Sequence, residues 1–454
     1  MKGKKVKKVD VIIIGGSAAG LTAAQTARRH YPRKKILVIR KEEKVLIPCG
    51  IPYIFGSLEG PHENLIPDMA YEKMDIGLHI GQVESIDRKN KVVRTNSDEF
   101  AYEKLILGTG SYPAMPPIPG HAKKGVYAVL KDVEYLAGIQ EKLKAVKNVV
   151  VIGGGFIGIE ISDEIKKSGV ENVSVIEIEK HCLIQSYDEE FCIEMEEQLQ
   201  SRGINLFTGS KVVSIDGGDQ VESVTLADGQ KIAADMVILG IGAVANADLA
   251  KSAGLRIGLT GGIVVDRAMR TSDPDIFACG DCAEKVSFFG GKSSALRLAS
   301  IATLEARVAG ANVFGITRET PGTIGVWGTA VGGLALGTAG LTEKMAKAHG
   351  YNVISAVNES VNRHPGKLTG AAKIKIKLVF EANSGTLLGG QVRGDASAGE
   401  IMNSISACVQ NRMTAEQIAM FQSGTHPLIT ASPIAYGIVN AAEAAIAKML
   451  KAKV

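Results

Sequence analysis

Few residues in this chain could do nucleophilic or redox chemistry. Cys49 stands in VLIPCGIPYIFG (Val45 to Gly56), between Pro48 and Pro52, and the next cysteine, Cys182, lies more than a hundred residues on. A thiolate attacks sulfur and accepts it, so an isolated cysteine is either such a nucleophile or a small buried apolar residue. Cys279 and Cys282 form the other sulfur pattern, C-x-x-C in ACGDCAE, which alone would suit a thioredoxin-like pair or half a zinc site. No second C-x-x-C and no histidine pair accompanies it. Packing is therefore the expected role of that pair, and no metal site is expected.

Two glycine-rich turns have the pattern that cradles phosphates. VDVIIIGGSAAGLTAA (Val9 to Ala24) reads as an apolar strand, a turn and the start of an Ala-rich helix; Gly15 and Gly20 fit G-x-G-x-x-G, with Ser17 at its middle position. VVVIGGGFIGIEIS (Val149 to Ser162) completes the pattern at Gly153, Gly155 and Gly158. Between a strand and a helix, such glycines let backbone N–H groups and the helix N-terminus approach a pyrophosphate. Glu177, 24 residues past Gly153 at the end of the next strand, can accept hydrogen bonds from a ribose 2′-OH and repel a 2′-phosphate. The second site should then prefer NADH, with NADPH less favoured. Two such turns about 140 residues apart point to electron transfer between two dinucleotides.

The elements that position these residues follow the same plan. YEKLILGTGSYPAMPPIPG (Tyr102 to Gly120) reads as a strand ending at Gly108-Thr109-Gly110 and then a Pro-rich crossing, and DMVILGIGAVAN ends a comparable strand at Gly240-Ile241-Gly242. DIFACGDCAE places Asp281 at a strand end. From about Gly325 the pattern changes to β-rich segments such as AAKIKIKLVF, then helical stretches and an Ala-rich C-terminal helix. The expected fold is α/β, with two Rossmann-like dinucleotide-binding domains and a C-terminal α+β domain.

Bulk properties agree. The 454 residues suggest about three domains, and 45% hydrophobic residues, 22% charged residues and a mean hydropathy of +0.11 suit a compact multidomain globule. A net charge of +4, a single Trp and 5% aromatics argue against a nucleic-acid partner. The opening MKGKKVKK precedes an apolar run of only four residues, Val11 to Ile14, so it reads as a solvated lead-in to a first strand and not as a signal peptide. No segment approaches the roughly twenty apolar residues of a membrane helix. Six scattered cysteines suit a reducing, cytoplasmic setting.

With these motifs in this order, from about Val9 to the C-terminus, the chain resembles the FAD-dependent pyridine nucleotide-disulfide oxidoreductases, and within them the single-cysteine branch of coenzyme A disulfide reductase, NADH oxidase and NADH peroxidase. The resemblance implies an FAD-binding domain at 1–112 and 244–324, an NAD(H)-binding domain at 113–243, and a C-terminal domain at 325–454 that forms a homodimer. It places Gly15, Ser17 and Gly20 at the FAD pyrophosphate, Thr109 and Gly110 beside FAD, Asp281 at the ribityl and phosphate side of the flavin, and Val83 at the adenine. Gly153, Gly155, Phe156, Ile157, Gly158, Glu177 and Gly242 fall at the nicotinamide nucleotide. Arg40, with Lys41 beside it, departs from the family, which places a glutamate there for the FAD ribose; either Glu42 or Glu43 takes that role, or Arg40 meets a phosphate.

The resemblance also makes Cys49, 29 residues after Gly20, the reactive cysteine at the start of a helix under the flavin. Two-cysteine relatives carry C-x4-C, whereas the fifth residue after Cys49 is Ile54. The implied cycle passes electrons from NADH through FAD to a mixed disulfide or persulfide on Cys49. Oxidases and peroxidases of this branch carry a histidine in the first glycine turn where this chain has Ala18, which favours sulfur chemistry. His426-Pro427 resembles the His-Pro of two-cysteine reductases, where a partner subunit's histidine is the acid/base; Tyr436 is the nearest tyrosine to that region. The expected activity is NADH-dependent reduction of a small disulfide, persulfide or polysulfide, coenzyme A forms among them. An NADH oxidase and a flavin-bound redox-sensing module are the alternatives.

Overall fold

The computed structural model describes residues 6–452, so the first five residues of the basic lead-in lie outside the described residues. The chain divides into two compact units. One comprises the described residues up to 116 with 127–145 and 241–323; the other comprises 117–126, 146–240 and those from 324 onward.

In the first unit the strand Lys7–Ile14 is exposed at its lysine end and fully buried from Val11 to Ile14. A continuous β-branched run of this kind belongs in the middle of a parallel sheet, where both faces are covered. It pairs in parallel with Ile36–Arg40 on one side and Glu99–Leu107 on the other, within a seven-stranded sheet that also takes in Gly77–Ile80 and Ile276–Ala278. Antiparallel strands Val92–Thr95 and Val83–Asp87 complete it. The helix Ala18–His30 buries Ala19, Ala23, Ala24 and Ala27, and these small residues let it lie close to the sheet and to the helix Ala299–Asn312.

The second unit repeats the motif. Met236–Leu239, Asn148–Ile152, Asn172–Ile176 and Ile204–Phe207 are parallel neighbours in that order, with the helix Phe156–Lys167 after the second glycine turn. A three-stranded antiparallel sheet follows from Val212–Asp216 to Lys231–Ala233. The C-terminal part is a five-stranded antiparallel sheet, in the order Val326–Val331, Leu334–Gly340, Leu387–Gly394, Lys373–Glu381 and Val353–Val361. The helices Ala398–Gln410 and Gly437–Ala452 pack on it. The α/β architecture and the α+β C-terminal part are thus as expected. Among the described residues no helix is long and apolar enough to cross a membrane.

Each glycine turn rests on the same close approach. Gly15 and Gly153 have φ of +111° and +110°, and a Cβ built on Gly20 or Gly158 would stand 1.8 Å from the carbonyl oxygen of Gly15 or Gly153 respectively. No side chain fits there, so each helix can start directly against its strand end only with glycine. Gly20→Ala and Gly158→Ala should each lower stability by about 1–3 kcal/mol or more through overpacking; thermal unfolding checks this, and an unchanged midpoint would refute the packing argument.

Candidate active site

The parallel registers bring the sequence-selected residues of the first unit to one edge. Ile14 pairs with both Ile39 and Leu107, and Leu107 with Ala278, so Gly15, Arg40, Gly108 and Cys279 emerge together at the carboxyl ends of their strands. Ligands of open α/β sheets bind at this edge. Ser17 is the N-cap of the first helix, in extended conformation and with its hydroxyl not used as a cap, and Ala18 is the first helical residue. Thr109 is tied down twice: its hydroxyl donates to Asn246 O at 2.6 Å, and Asn246 Nδ2 donates to Thr109 O at 3.0 Å. Gly110 and Gly242, at φ +75° and +100°, face open space where a Cβ would stand. Val83 is buried at the start of its strand.

Asp281 lies in the short turn Gly280–Cys282, where its carboxylate accepts the Ser111 hydroxyl at 2.7 Å and faces Lys131 Nζ at 3.6 Å. Cys279 and Cys282 are fully buried, and the Cys282 thiol donates to the carbonyls of Leu107 and Cys279. Burial pushes both thiols up, which suits packing and not redox exchange.

Arg40 is 2% exposed and makes a bidentate pair with Asp68, at 2.6 and 2.8 Å. Its other donors hold the carbonyls of Glu42 and Glu43, and the guanidinium lies over the Tyr71 ring. Tyr71 in turn donates to Gly16 O at 3.0 Å, and a Cβ on Gly16 would meet Arg40 Cδ at 2.5 Å. The departure at position 40 is therefore a brace behind the glycine turn, and a phosphate contact from Arg40 requires Asp68 to give way. Lys41 is exposed beside it.

Cys49 is the exposed cysteine of the six; the other five are buried and none is in a disulfide. The expected helix does not begin there. Pro48–Gly50 and Pro52–Phe55 form two short 3-10 turns, each opening on a proline that has no N–H to give. Turns of three and four residues build little helix dipole beside this thiol. The turn is fixed by side chains instead. Asn64, 3% exposed, donates from Nδ2 to Ile47 O at 3.0 Å, and its own carbonyl accepts the Ile47 N–H at 2.9 Å. A Cβ on Gly50 would stand 2.0 Å from Asn64 Oδ1. Buried Ile54 and Phe55 anchor the following turn, and Gln140 donates to Ile54 O at 2.8 Å.

In the second unit Gly155 caps the helix that Phe156 begins, with open space at its Cβ, and Ile157 is exposed. Glu177 accepts the Gly154 N–H at 2.6 Å on one oxygen and the Glu179 N–H at 2.8 Å on the other. Glu177, Glu179, His181, Phe156 and Gly155 line one recess. The open glycine cradle and the fixed acid at the strand end suit a nucleotide without a 2′-phosphate, just as the first cradle suits a pyrophosphate. His426 is exposed on a loop where its Nδ1 accepts the Leu428 N–H at 3.3 Å, so the neutral ring carries its proton on Nε2. Tyr436 precedes the last helix, and burial raises its phenol pKa. His426 and Tyr436 belong to the second unit, Cys49 to the first.

Several residues escaped the sequence reading. Asp68, Tyr71, Asn64, Ser111 and Lys131 act through contacts distant in the chain, and no local pattern marks them. Glu160 had a signal, its place two residues after Gly158 on the same helix. Burial, with a smaller push from Glu164, raises its carboxyl to about 7 although the Thr329 hydroxyl donates to it at 2.8 Å.

Residues 9–306 match the family described as pyridine nucleotide-disulphide oxidoreductase, and residues 327–433 match the dimerisation domain of the same family. The chain is 36% identical over 400 residues to the NAD(P)H coenzyme A polysulfide/persulfide reductase of Pyrococcus horikoshii, covering 86% of this chain and 88% of that one. It is 30% identical to an NADH oxidase of Methanocaldococcus jannaschii, covering 90% and 92%. The solved NAD-dependent persulfide reductase from A. fulgidus superposes with a TM-score of 0.90 at 31% identity, over 97% of this chain and 84% of that one.

The Glu160 carboxyl generates a pH prediction. An acid whose folded pKa of about 7 exceeds its unfolded value binds more protons when folded, so stability falls as pH rises from about 4.5 through 7. Glu160→Gln should remove that fall, leaving the variant on the order of 2–3 kcal/mol more favoured at pH 8 than at pH 5 relative to wild type. Denaturant unfolding at both pH values measures it; parallel profiles for the two proteins would contradict the assignment.

Proposed function

Because the chain belongs to the pyridine nucleotide-disulphide oxidoreductase family, which uses FAD and NAD(P)H, we propose that it is an NADH-dependent reductase of a low-molecular-weight persulfide, polysulfide or disulfide, acting through Cys49. On this reading residues 1–112 and 244–324 hold FAD, 113–243 hold NADH, and 325–454 form a homodimer. The observation that carries it is Cys49 itself: one exposed thiol among six cysteines, held in a braced turn, with buried Ile54 where a second redox cysteine would stand. The sulfur reductases of Pyrococcus and the A. fulgidus persulfide reductase support the substrate class. Five buried reduced cysteines beside one exposed thiol suit a reducing, cytoplasmic setting.

The Cys49 thiolate attacks one sulfur of the substrate S–S bond; that bond breaks, and the departing half takes a proton as thiol or hydrogen sulfide. The other half stays on Cys49 as a disulfide. FAD held at Gly15, Ser17 and Gly20 would supply the two-electron chemistry that links NADH to this disulfide, whose reduction by that electron pair, with one proton, returns the Cys49 thiolate and a second reduced half. His426 can supply such a proton from Nε2, since its Nδ1 is occupied by the Leu428 N–H. Tyr436, in the same unit of the chain, stays protonated at neutral pH and is assigned as a second proton donor. In a homodimer the His426 of one protomer serves the site of its partner. Glu177, fixed by two backbone N–H groups, repels a 2′-phosphate, and Glu179 adds a second carboxylate to the same recess.

A second reading, an NADH oxidase, is favoured by the relatives of that name. The deciding experiment is anaerobic NADH oxidation by the FAD-loaded wild type and Cys49→Ser against coenzyme A persulfide, polysulfide, coenzyme A disulfide and glutathione disulfide. Wild type should turn over at least one of them and Cys49→Ser should lose about a hundred-fold or more. If neither protein uses any of the four while both consume NADH with O2, the oxidase reading replaces it. In the same assay NADH should outperform NADPH by at least about ten-fold in kcat/KM, and Glu177→Ala should narrow that ratio.

A further inference from the structure

Behind the turn that bears Asp281, an ion pair is sealed inside the first unit and has no part in the chemistry above. Lys285 is 2% exposed and Glu305 is 1% exposed. The Lys285 ammonium donates to Glu305 Oε2 at 2.8 Å, to Ala283 O at 2.9 Å and to Gly280 O, which uses all three of its protons. The same Glu305 oxygen accepts the Gly280 N–H at 2.9 Å. The pair therefore grips both polar atoms of one glycine. That glycine has φ +77°, and a Cβ on it would stand 2.8 Å from Ala19 Cβ, so the helix of the first glycine turn closes its other side.

Two buried ions lose so much hydration that apolar residues of the same volume often stabilise a core as well. What apolar residues cannot do is orient a peptide group. In a low-dielectric interior a fully satisfied network holds its members in one geometry. The residue after Gly280 is Asp281, and its carboxylate points to the Ser111 hydroxyl and Lys131.

We propose that Lys285 and Glu305 are positioning residues that fix the Gly280–Asp281 peptide and so aim the Asp281 carboxylate in the flavin site, making flavin affinity and reduction potential depend on this pair. The proposal rests on the reading of Asp281 as a flavin-side residue. A carboxylate is a fixed negative charge, so its direction alters the field on a cofactor that gains electrons.

The test compares wild type, Glu305→Gln, Lys285→Met/Glu305→Gln and Asp281→Asn. For each, FAD affinity is measured by reconstituting apoprotein, the visible absorption band of bound FAD is recorded, the midpoint potential is found by equilibration with a reference dye, and apoprotein unfolding is followed by heat. The double variant should bind FAD about ten-fold more weakly, the worth of one misplaced buried hydrogen-bonding group. Its flavin band and potential should move in the same direction as those of Asp281→Asn. Glu305→Gln, which keeps an acceptor for Gly280, should fall between. If Asp281→Asn changes neither affinity nor potential, the reading of Asp281 fails. If Asp281→Asn changes both while the double variant keeps wild-type values, the positioning role is overturned and the reading of Asp281 stands. Should the double variant not fold, Glu305→Gln decides by the same criterion.

Discussion

The approach of a helix to the carbonyl of the glycine that ends its strand governs this molecule, and it occurs twice. With 1.8 Å between the hypothetical Cβ and that oxygen, at Gly20 on Gly15 and at Gly158 on Gly153, only glycine lets the strand, turn and helix close on one another. Closure leaves the first N–H groups of the helix directed outward at the strand end, which is what a pyrophosphate needs. The neighbouring strands then end level with the turn, as the pairing of Ile14 with Leu107 and of Ile152 with Leu239 shows. Residues more than two hundred positions apart, such as Gly15 and Asp281, are brought to one edge by this registration.

Around those two turns, polar clamps fix what glycine leaves free. Arg40 with Asp68 and Tyr71 braces the first turn from behind; Glu177 gathers two backbone N–H groups at the second. Asn64 does the same for the Cys49 turn. Within the second unit, Asp188 exchanges two hydrogen bonds with fully buried Gln391 and pairs with Lys377 at 3.0 Å, which ties the helix Glu189–Ser201 to the C-terminal sheet. Apart from the bond between Glu177 and Glu179, each clamp joins segments 17 or more positions apart in the chain. They are less a source of net stability than a means of giving one geometry to loops that would otherwise have several.

The thiol shows how far local rules reach. Prolines at 48 and 52 and glycine at 50 mark an irregular stretch, and the structure draws it as two short turns in place of the helix that the family resemblance implied. The backbone dipole beside Cys49 is correspondingly weak, and the turn is held by Asn64 and by buried Ile54 and Phe55 instead. For C-x-x-C at 279 and 282, spacing alone allows redox chemistry, whereas full burial, which raises both thiols, favours packing.

Sequence alone determined the repeated strand, glycine turn and helix, the parallel sheets, the α+β C-terminal part and the isolation of Cys49, because each follows from periodicity, steric demand or count within a short window. It also marked Glu177, whose distance from Gly153 is set by one βαβ unit. Tertiary structure alone decided what surrounds them. The partner of Arg40 is Asp68, the raised carboxyl is Glu160, and the hand on the Asp281 turn is the Lys285–Glu305 pair. The physical reason is the same in each case: whether a charged side chain is solvated, paired or desolvated depends on chain segments that the local sequence does not name.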